Sequence, residues 1–241
     1  MNATGQTLII TLASKNEGKR RELAHWLAES GLPVEIALNE SAGDVDETGS
    51  TFLENAALKA RQTPPVPGSQ WVLGEDSGMV VDALEGSYGI RPFPGLYSNR
   101  WLTPAIRDEL LEQSFPNRMP LDRVTETGVT NSDLCQGILA LMKEQPNRAA
   151  RYCCGMALWH AESGLSFEAL ESTELAVITE APRGLNGFGY DPIVVPVLED
   201  GKADTRTVAE LSAFEKNRIS HRGRAFQKVL DFLQKQGQFS G

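Results

Sequence analysis

Three short stretches of this chain combine residue types that handle phosphate, metal ions and water. Ser14-x-Asn16-x-x-Lys19 follows an apolar run and opens a helix-like segment. At such a junction the first backbone N–H groups and the helix dipole favour an anion, and a lysine adds a point charge. Neither the G-x-x-x-x-G-K-[ST] loop nor the G-x-G-x-x-G turn is present, so a plainly capped helix start accounts for the same residues. Carboxylates form the second group: Asp44, Asp46 and Glu47 share one loop, and Glu75-Asp76 ends an apolar stretch. Magnesium is usually held by one or two carboxylates together with substrate phosphates. Asp44 reads as a solvated loop acid, whereas Asp76 lies between two apolar stretches, Trp71-Val72-Leu73 and Met79-Val80-Val81, where a charge needs a reason. The third group is the basic run from Lys216 through Asn217, Arg218, His221 and Arg222 to Arg224. It is either a solvated helix junction or a set of cations for one metal-bound polyphosphate; RNA contact is the third alternative. His25, His160, Trp26 and Trp71 read as structural.

The elements that must position these groups follow from periodicity. Leu8 to Ala13 is a strand, and Lys19 to Ser30 a helix with Leu23, Trp26 and Leu27 on one face and Gly31 as its stop. Val34 to Leu38 is a second strand. Thr51 and Glu54 form a capping box for a helix over Asn55 to Gln62, which Pro64-Pro65-Val66-Pro67-Gly68 ends. The next strand covers Trp71 to Gly74, with a turn at Asp76-Ser77-Gly78. Between Tyr88 and Pro146 two helices are predicted, near Pro104 to Gln113 and Ser132 to Lys143, in an appended lobe. Ala149 to His160 and Leu165 to Thr179 form a long antiparallel hairpin around Glu162-Ser163-Gly164. Gly184 to Gly189 carries three glycines in six residues, so backbone can approach a ligand closely there. A short strand Ile193 to Val195 follows, then a capping box of Ser212 with Glu215 and a helix carrying Phe226, Val229, Leu230 and Leu233. No repeat or linker divides the chain, so residues 1–241 read as a single α/β domain with two lobes.

Composition removes several function classes. With 241 residues and 41% hydrophobic content the chain can bury a substantial core. Its 23 basic against 32 acidic residues leave a formal charge of −9, which argues against affinity for a nucleic acid polymer. No run of transmembrane length and no signal pattern is present, so no membrane association and a cytoplasmic location are expected. Cys135, Cys153 and Cys154 form neither a disulfide framework nor a C-x-x-C pattern.

Five segments in order resemble the inosine triphosphate pyrophosphatase family, the noncanonical purine nucleoside triphosphate pyrophosphatases or XTP/dITP diphosphatases. They are Ala13-Ser14-Lys15-Asn16-Glu17-Gly18-Lys19-Arg20-Arg21-Glu22-Leu23; Glu47-Thr48-Gly49 with Thr51-Phe52 and Glu54-Asn55-Ala56; Glu75-Asp76-Ser77-Gly78; Gly187-Phe188-Gly189-Tyr190-Asp191-Pro192; and Ala209-Glu210-Leu211 with Glu215 to Gly223. The resemblance implies an elongated mixed β-sheet flanked by helices, two lobes with a central cleft, and a homodimer. It implies cleavage of a nucleoside triphosphate to monophosphate and pyrophosphate with Mg2+, on ITP, dITP and XTP. By motif position, Ser14, Asn16 and Lys19 would hold the triphosphate, and Asp76 would bind magnesium and help activate water. Ser77 would adjoin the ligand, and Asp46 stands where the family commonly has a metal-binding Glu. Phe188, Gly189, Tyr190 and Asp191, with Lys216, His221 and Arg222, would embrace the base and phosphates. Phe188 offers a face for stacking, and a donor such as Arg222 suits a 6-oxo group and meets a 6-amino group badly. Glu75 stands where many members have Asp, and the segment of about 88–150 is enlarged. A Maf-like pyrophosphatase for other modified nucleotides and a catalytically weak nucleotide-binding protein are the alternatives.

Overall fold

The computed structural model describes residues 7–40, 43–103, 128–173, 175–198 and 200–239. The apolar, β-branched run Leu8–Ala13 forms β1, which pairs in parallel with β2 (Val34–Leu38) on one side and β3 (Trp71–Val81) on the other. Between two parallel neighbours a strand is covered on both faces, and Ile10, Thr11 and Leu12 are accordingly all buried. Helix α1 (Glu17–Ser30) joins β1 to β2, and α2 (Phe52–Gln62) precedes β3. Later come α3 (Asn131–Leu141), β4 (Ala149–His160), β5 (Ser166–Ser172), β6 (Ala176–Ile178), β7 (Val194–Pro196), α4 (Ala213–Ile219) and α5 (His221–Lys235). The strands belong to one mixed seven-stranded sheet of order β2-β1-β3-β4-β6-β7, with β5 also on β4. β4 is antiparallel to both β5 and β6, and β6 to β7.

Two compact units share the chain. The first comprises Met1–Ser77, Cys153–Ser172 and Asn217–Gly241; the second comprises Gly78–Tyr152 and Thr173–Lys216. In the first, Ile10, Leu12, Leu73, Met156 and Leu158 of the strands meet Leu23 and Leu27 of α1 and Phe226, Val229, Leu230 and Leu233 of α5. These helical residues recur at three- and four-residue spacing, which places them on one face each. In the second, Met79, Val81, Phe93, Trp101, Ile138, Ile178 and Ile193 surround Tyr190.

The structure corrects five local expectations. β3 runs uninterrupted through Asp76-Ser77-Gly78 instead of turning there, because charged partners satisfy its acids within the fold. The second arm of the long hairpin divides into β5 and β6, and Ile193 closes a 3-10 turn before β7. Thr51 does cap α2, accepting from Glu54 N–H at 3.1 Å, but the Glu54 carboxylate turns to Ser50, whose N–H lies at 2.7 Å, so no capping box closes. α1 begins two residues earlier than its apolar face indicated, at Glu17 behind the Asn16 cap. The helix predicted near Pro104 to Gln113 lies outside the described residues, as does much of the enlarged 88–150 segment. Among the described residues no helix is long and apolar enough to cross a membrane.

Candidate active site

In the first unit, β3 presents Glu75 and Ser77 on one face and Asp76 on the other, since neighbouring strand residues alternate. The Glu75 carboxylate is completely buried. Lys19 forms an ion pair with it, and Arg222 Nε donates to its Oε1 at 3.1 Å. The same guanidinium donates to Ser77 Oγ at 2.9 Å and, through a further nitrogen, to Glu22 Oε2 at 2.7 Å. Glu22 also accepts from Ser220 Oγ at 2.6 Å, and Ser220 caps α5 by accepting Gly223 N–H. Two acids and two bases thus form a buried, charge-balanced group. Burial alone would raise the Glu75 pKa, but the charges of Lys19 and Arg222 outweigh it and hold the carboxyl well below the usual range.

On the other face, Asp76 meets α2. Asn55 Nδ2 donates to its Oδ2 at 3.1 Å and Lys59 Nζ to its Oδ1 at 3.1 Å. The Lys59 ammonium also reaches Glu47 Oε1 at 2.7 Å and the Glu75 carbonyl at 3.3 Å, so three oxygens gather on one cation. Asn55 is held in its orientation because its Oδ1 accepts Gly49 N–H at 2.8 Å. This approach depends on Gly74: a Cβ there would lie 1.9 Å from the Ala56 carbonyl, so only glycine lets α2 close onto β3. Burial raises the Asp76 pKa above its ordinary 3.8, against the pull of Lys59 and Lys19. Lys59 is desolvated too, yet the charges of Asp76 and Glu47 outweigh that and raise its pKa, so it stays charged. A carboxylate with raised proton affinity is a better base near neutral pH than a surface aspartate.

At the start of α1, Asn16 caps the helix by accepting Lys19 N–H at 3.1 Å, and Ser14 Oγ accepts Asn16 N–H at 3.1 Å. Both side chains are partly exposed at the dipole-positive end of a fourteen-residue helix. Asp46 is exposed, and the acid of its loop that meets Lys59 is its neighbour Glu47. Among the described residues no three acids, histidines or cysteines gather into a metal-holding set.

The second unit contains a separate group around Asp191, which is buried. Its Oδ2 accepts Phe188 N–H at 2.9 Å and Lys216 Nζ at 2.7 Å, and its Oδ1 accepts the Tyr152 hydroxyl at 3.2 Å. Lys216 Nζ stands 4.7 Å from the centre of the partly exposed Phe188 ring, a cation–π distance. Gly187, at φ 76°, leaves room for Asp191, whose Oδ2 would lie 2.0 Å from a Cβ. Tyr190 points inward: Trp101 Nε1 donates to its hydroxyl at 2.9 Å, and that hydroxyl donates to the Ser98 carbonyl.

A sequence model of the Ham1 family matches residues 10–119 and 121–232. The chain belongs to the Ham1 family. It is 39% identical to a dITP/XTP pyrophosphatase of Gloeobacter violaceus over 92% of both chains, and 41% identical to a dITP/XTP pyrophosphatase of Symbiobacterium thermophilum over 93% of this chain and 94% of that one. Among solved structures it is similar to a HAM1 protein from Coxiella burnetii, with TM-score 0.66 and 30% identity over 95% of this chain and 99% of that one.

Against this Ham1 membership, the sequence-derived site divides into groups. In the first unit Lys19, Ser77 and Arg222 come together around Glu75, Asp76 stands on the other face of β3 with Asn55 and Lys59, and His221, which opens α5, is also buried. Phe188, Gly189, Asp191 and Lys216 come together in the second. Within the second unit Tyr190 anchors the loop in the core and Asp191 ties it down. Arg222 likewise spends N–H groups on Glu22, Glu75 and Ser77 rather than presenting its guanidinium at the surface. Sequence reasoning missed Lys59 and Asn55 as members of the Asp76 group and Glu22 as a partner of Arg222. A signal existed: Asn55 and Lys59 are four apart, so they share a face of α2.

Proposed function

We propose that this protein hydrolyses deaminated purine nucleoside triphosphates, ITP, dITP and XTP, to the monophosphate and pyrophosphate. The observation that carries the reading is Asp76, a buried carboxylate of raised pKa fixed between Asn55 and Lys59. The relatives that bear the name dITP/XTP pyrophosphatase, similar over nine-tenths of the chain, support the substrate class.

In this reading Asp76 takes a proton from water as the water oxygen bonds to a phosphorus of the α–β anhydride. The bridging oxygen leaves with its electron pair on the other phosphate. Such a reaction asks the protein chiefly for in-line positioning and neutralised charge. Lys59 supplies positive charge beside the base, and Ser14, Asn16 and the N-terminus of α1 supply donors for phosphate oxygens. Lys19, paired with Glu75, must loosen that ion pair before its ammonium can serve a phosphate oxygen. Phe188, steadied by Lys216, is the ring we assign to the purine. For Arg222 to meet a 6-oxo group it must exchange one of its present partners.

Mg2+ fits the donor chemistry. Glu47 and Asp76 already direct oxygens at one cation, the Lys59 ammonium, and a magnesium site built on one or two carboxylates takes its remaining ligands from substrate and water. Asp76 together with the acidic loop of Asp46 and Glu47 would hold it; when bound it neutralises charge on the phosphates. A homodimer acting on the cytoplasmic nucleotide pool completes the proposal, with sedimentation as the measurement for the assembly.

The deciding experiment supplies magnesium with dITP, XTP, dGTP, dATP or dTTP and quantifies pyrophosphate and orthophosphate. Selective pyrophosphate release from dITP and XTP is expected. Tight dITP binding without turnover would convert the reading to a nucleotide-binding protein.

A further inference from the structure

The Asp191 group contains a residue that no family motif quoted above includes. Tyr152 lies on β4, distant in sequence from both the glycine-rich loop and α4, yet its hydroxyl reaches the same carboxylate as Phe188 N–H and Lys216. The geometry distributes work between the two carboxylate oxygens. Oδ2 holds the loop backbone and the ammonium, while Oδ1 takes the tyrosine. A carboxylate held at one oxygen alone can turn about its Cβ–Cγ bond; a donor on the second oxygen stops that rotation. With the rotation stopped, the Phe188 backbone and the Lys216 ammonium stay where the ammonium lies over the ring. Burial and the nearby Asp191 charge raise the Tyr152 pKa well above its ordinary value, so its hydroxyl keeps the proton it donates.

We propose that Tyr152 is a positioning residue for base recognition: through Asp191 it fixes the Phe188 ring and the Lys216 ammonium in the arrangement that receives the purine. This rests on Phe188 being the base-stacking ring, and the test separates the two claims. The full chain and its Tyr152→Phe, Phe188→Ala and doubly substituted variants are assayed with magnesium on dITP and on 2-deoxyribose 5-triphosphate, which lacks a base.

Wild-type protein should show a lower KM for dITP than for the base-less triphosphate. Equal values would remove Phe188 as a base platform, and the proposal with it, before any Tyr152 variant is considered. Tyr152→Phe, which deletes one oxygen, should raise KM for dITP about fivefold, the scale of a typical hydrogen bond, with kcat changed less than about twofold. KM for the base-less compound should not move. Added to Phe188→Ala, the Tyr152→Phe change should cost nothing further on dITP, because residues that act through one another are non-additive. Equal losses on both compounds, an unchanged KM for dITP, or full additivity with Phe188→Ala would each overturn the positioning role.

Discussion

Asp76 and Lys59 show how a side chain acquires a chemical role from what it touches. The aspartate was legible because a charge between apolar stretches demands partners. The lysine was not, because one lysine on an amphipathic helix looks like any solvated lysine until β3 lies beside it. Glu22 was hidden for the same reason, its partners Ser220 and Arg222 being about 200 residues away. Asp76→Asn preserves the shape of the group and removes the base, so kcat should fall about 10²- to 10⁴-fold with the fold intact, read as pyrophosphate release from dITP. Lys59→Met removes the charge on Asp76 Oδ1 and should cost about 10²-fold in kcat. The pH profile has a defined sign: Asp76 must be unprotonated to accept a proton, so activity falls as pH drops through its pKa. Burial raises that pKa in the metal-free protein, and magnesium on the same carboxylate would lower it, so the acid limb should move to lower pH as magnesium is raised. A limb that does not move with magnesium, or a Lys59→Met enzyme of full activity, would remove these roles.

Elements were legible where a single periodicity ran uninterrupted. β1, β2, β4 and the α5 stripe follow directly from apolar spacing, and the Ser212–Glu215 capping box forms as expected, with Glu215 N–H at 3.2 Å from Ser212 Oγ. β3 was misread because Asp76-Ser77-Gly78 consists of turn-forming residue types, and turn propensity is local, whereas the ion pairs that keep this stretch in a strand come from α1, α2 and α5. Gly74 is the point at which this element admits its neighbour. Gly74→Ala places a methyl against the Ala56 carbonyl, a backbone atom that moves only if α2 moves. Overpacking of this kind costs about 1–3 kcal/mol, and here the displaced helix carries Asn55 and Lys59. The variant should therefore lose stability in urea and, under conditions where it remains folded, lose kcat as well. A Gly74→Ala protein with normal kcat would show that α2 need not sit this close for Asp76 to work.

For the molecule as a whole, overall charge and the buried charges act separately. The −9 balance of the sequence disfavours polyanion binding, whereas Lys19, Glu22, Glu75 and Arg222 neutralise one another inside the first unit. Sequence alone showed these four residues within motifs but not that they meet, since ion pairing across the chain leaves no periodic trace. Their pairing makes stability depend on pH. Glu75 has a pKa depressed below its ordinary 4.5 in the folded protein, so the folded state favours its ionised form. That contribution is complete above pH 4.5 and is lost as pH falls through the range below it toward the folded-state value. Glu75→Gln removes the shared partner of two buried cations and should destabilise the protein by about 3–5 kcal/mol at pH 7. The gap between wild type and variant should narrow in urea titrations carried from pH 7 to pH 3, because acid removes from the wild type what the substitution has already removed. Parallel stability curves over that interval would mean that Glu75 contributes through packing alone and that the buried charges do not govern acid unfolding.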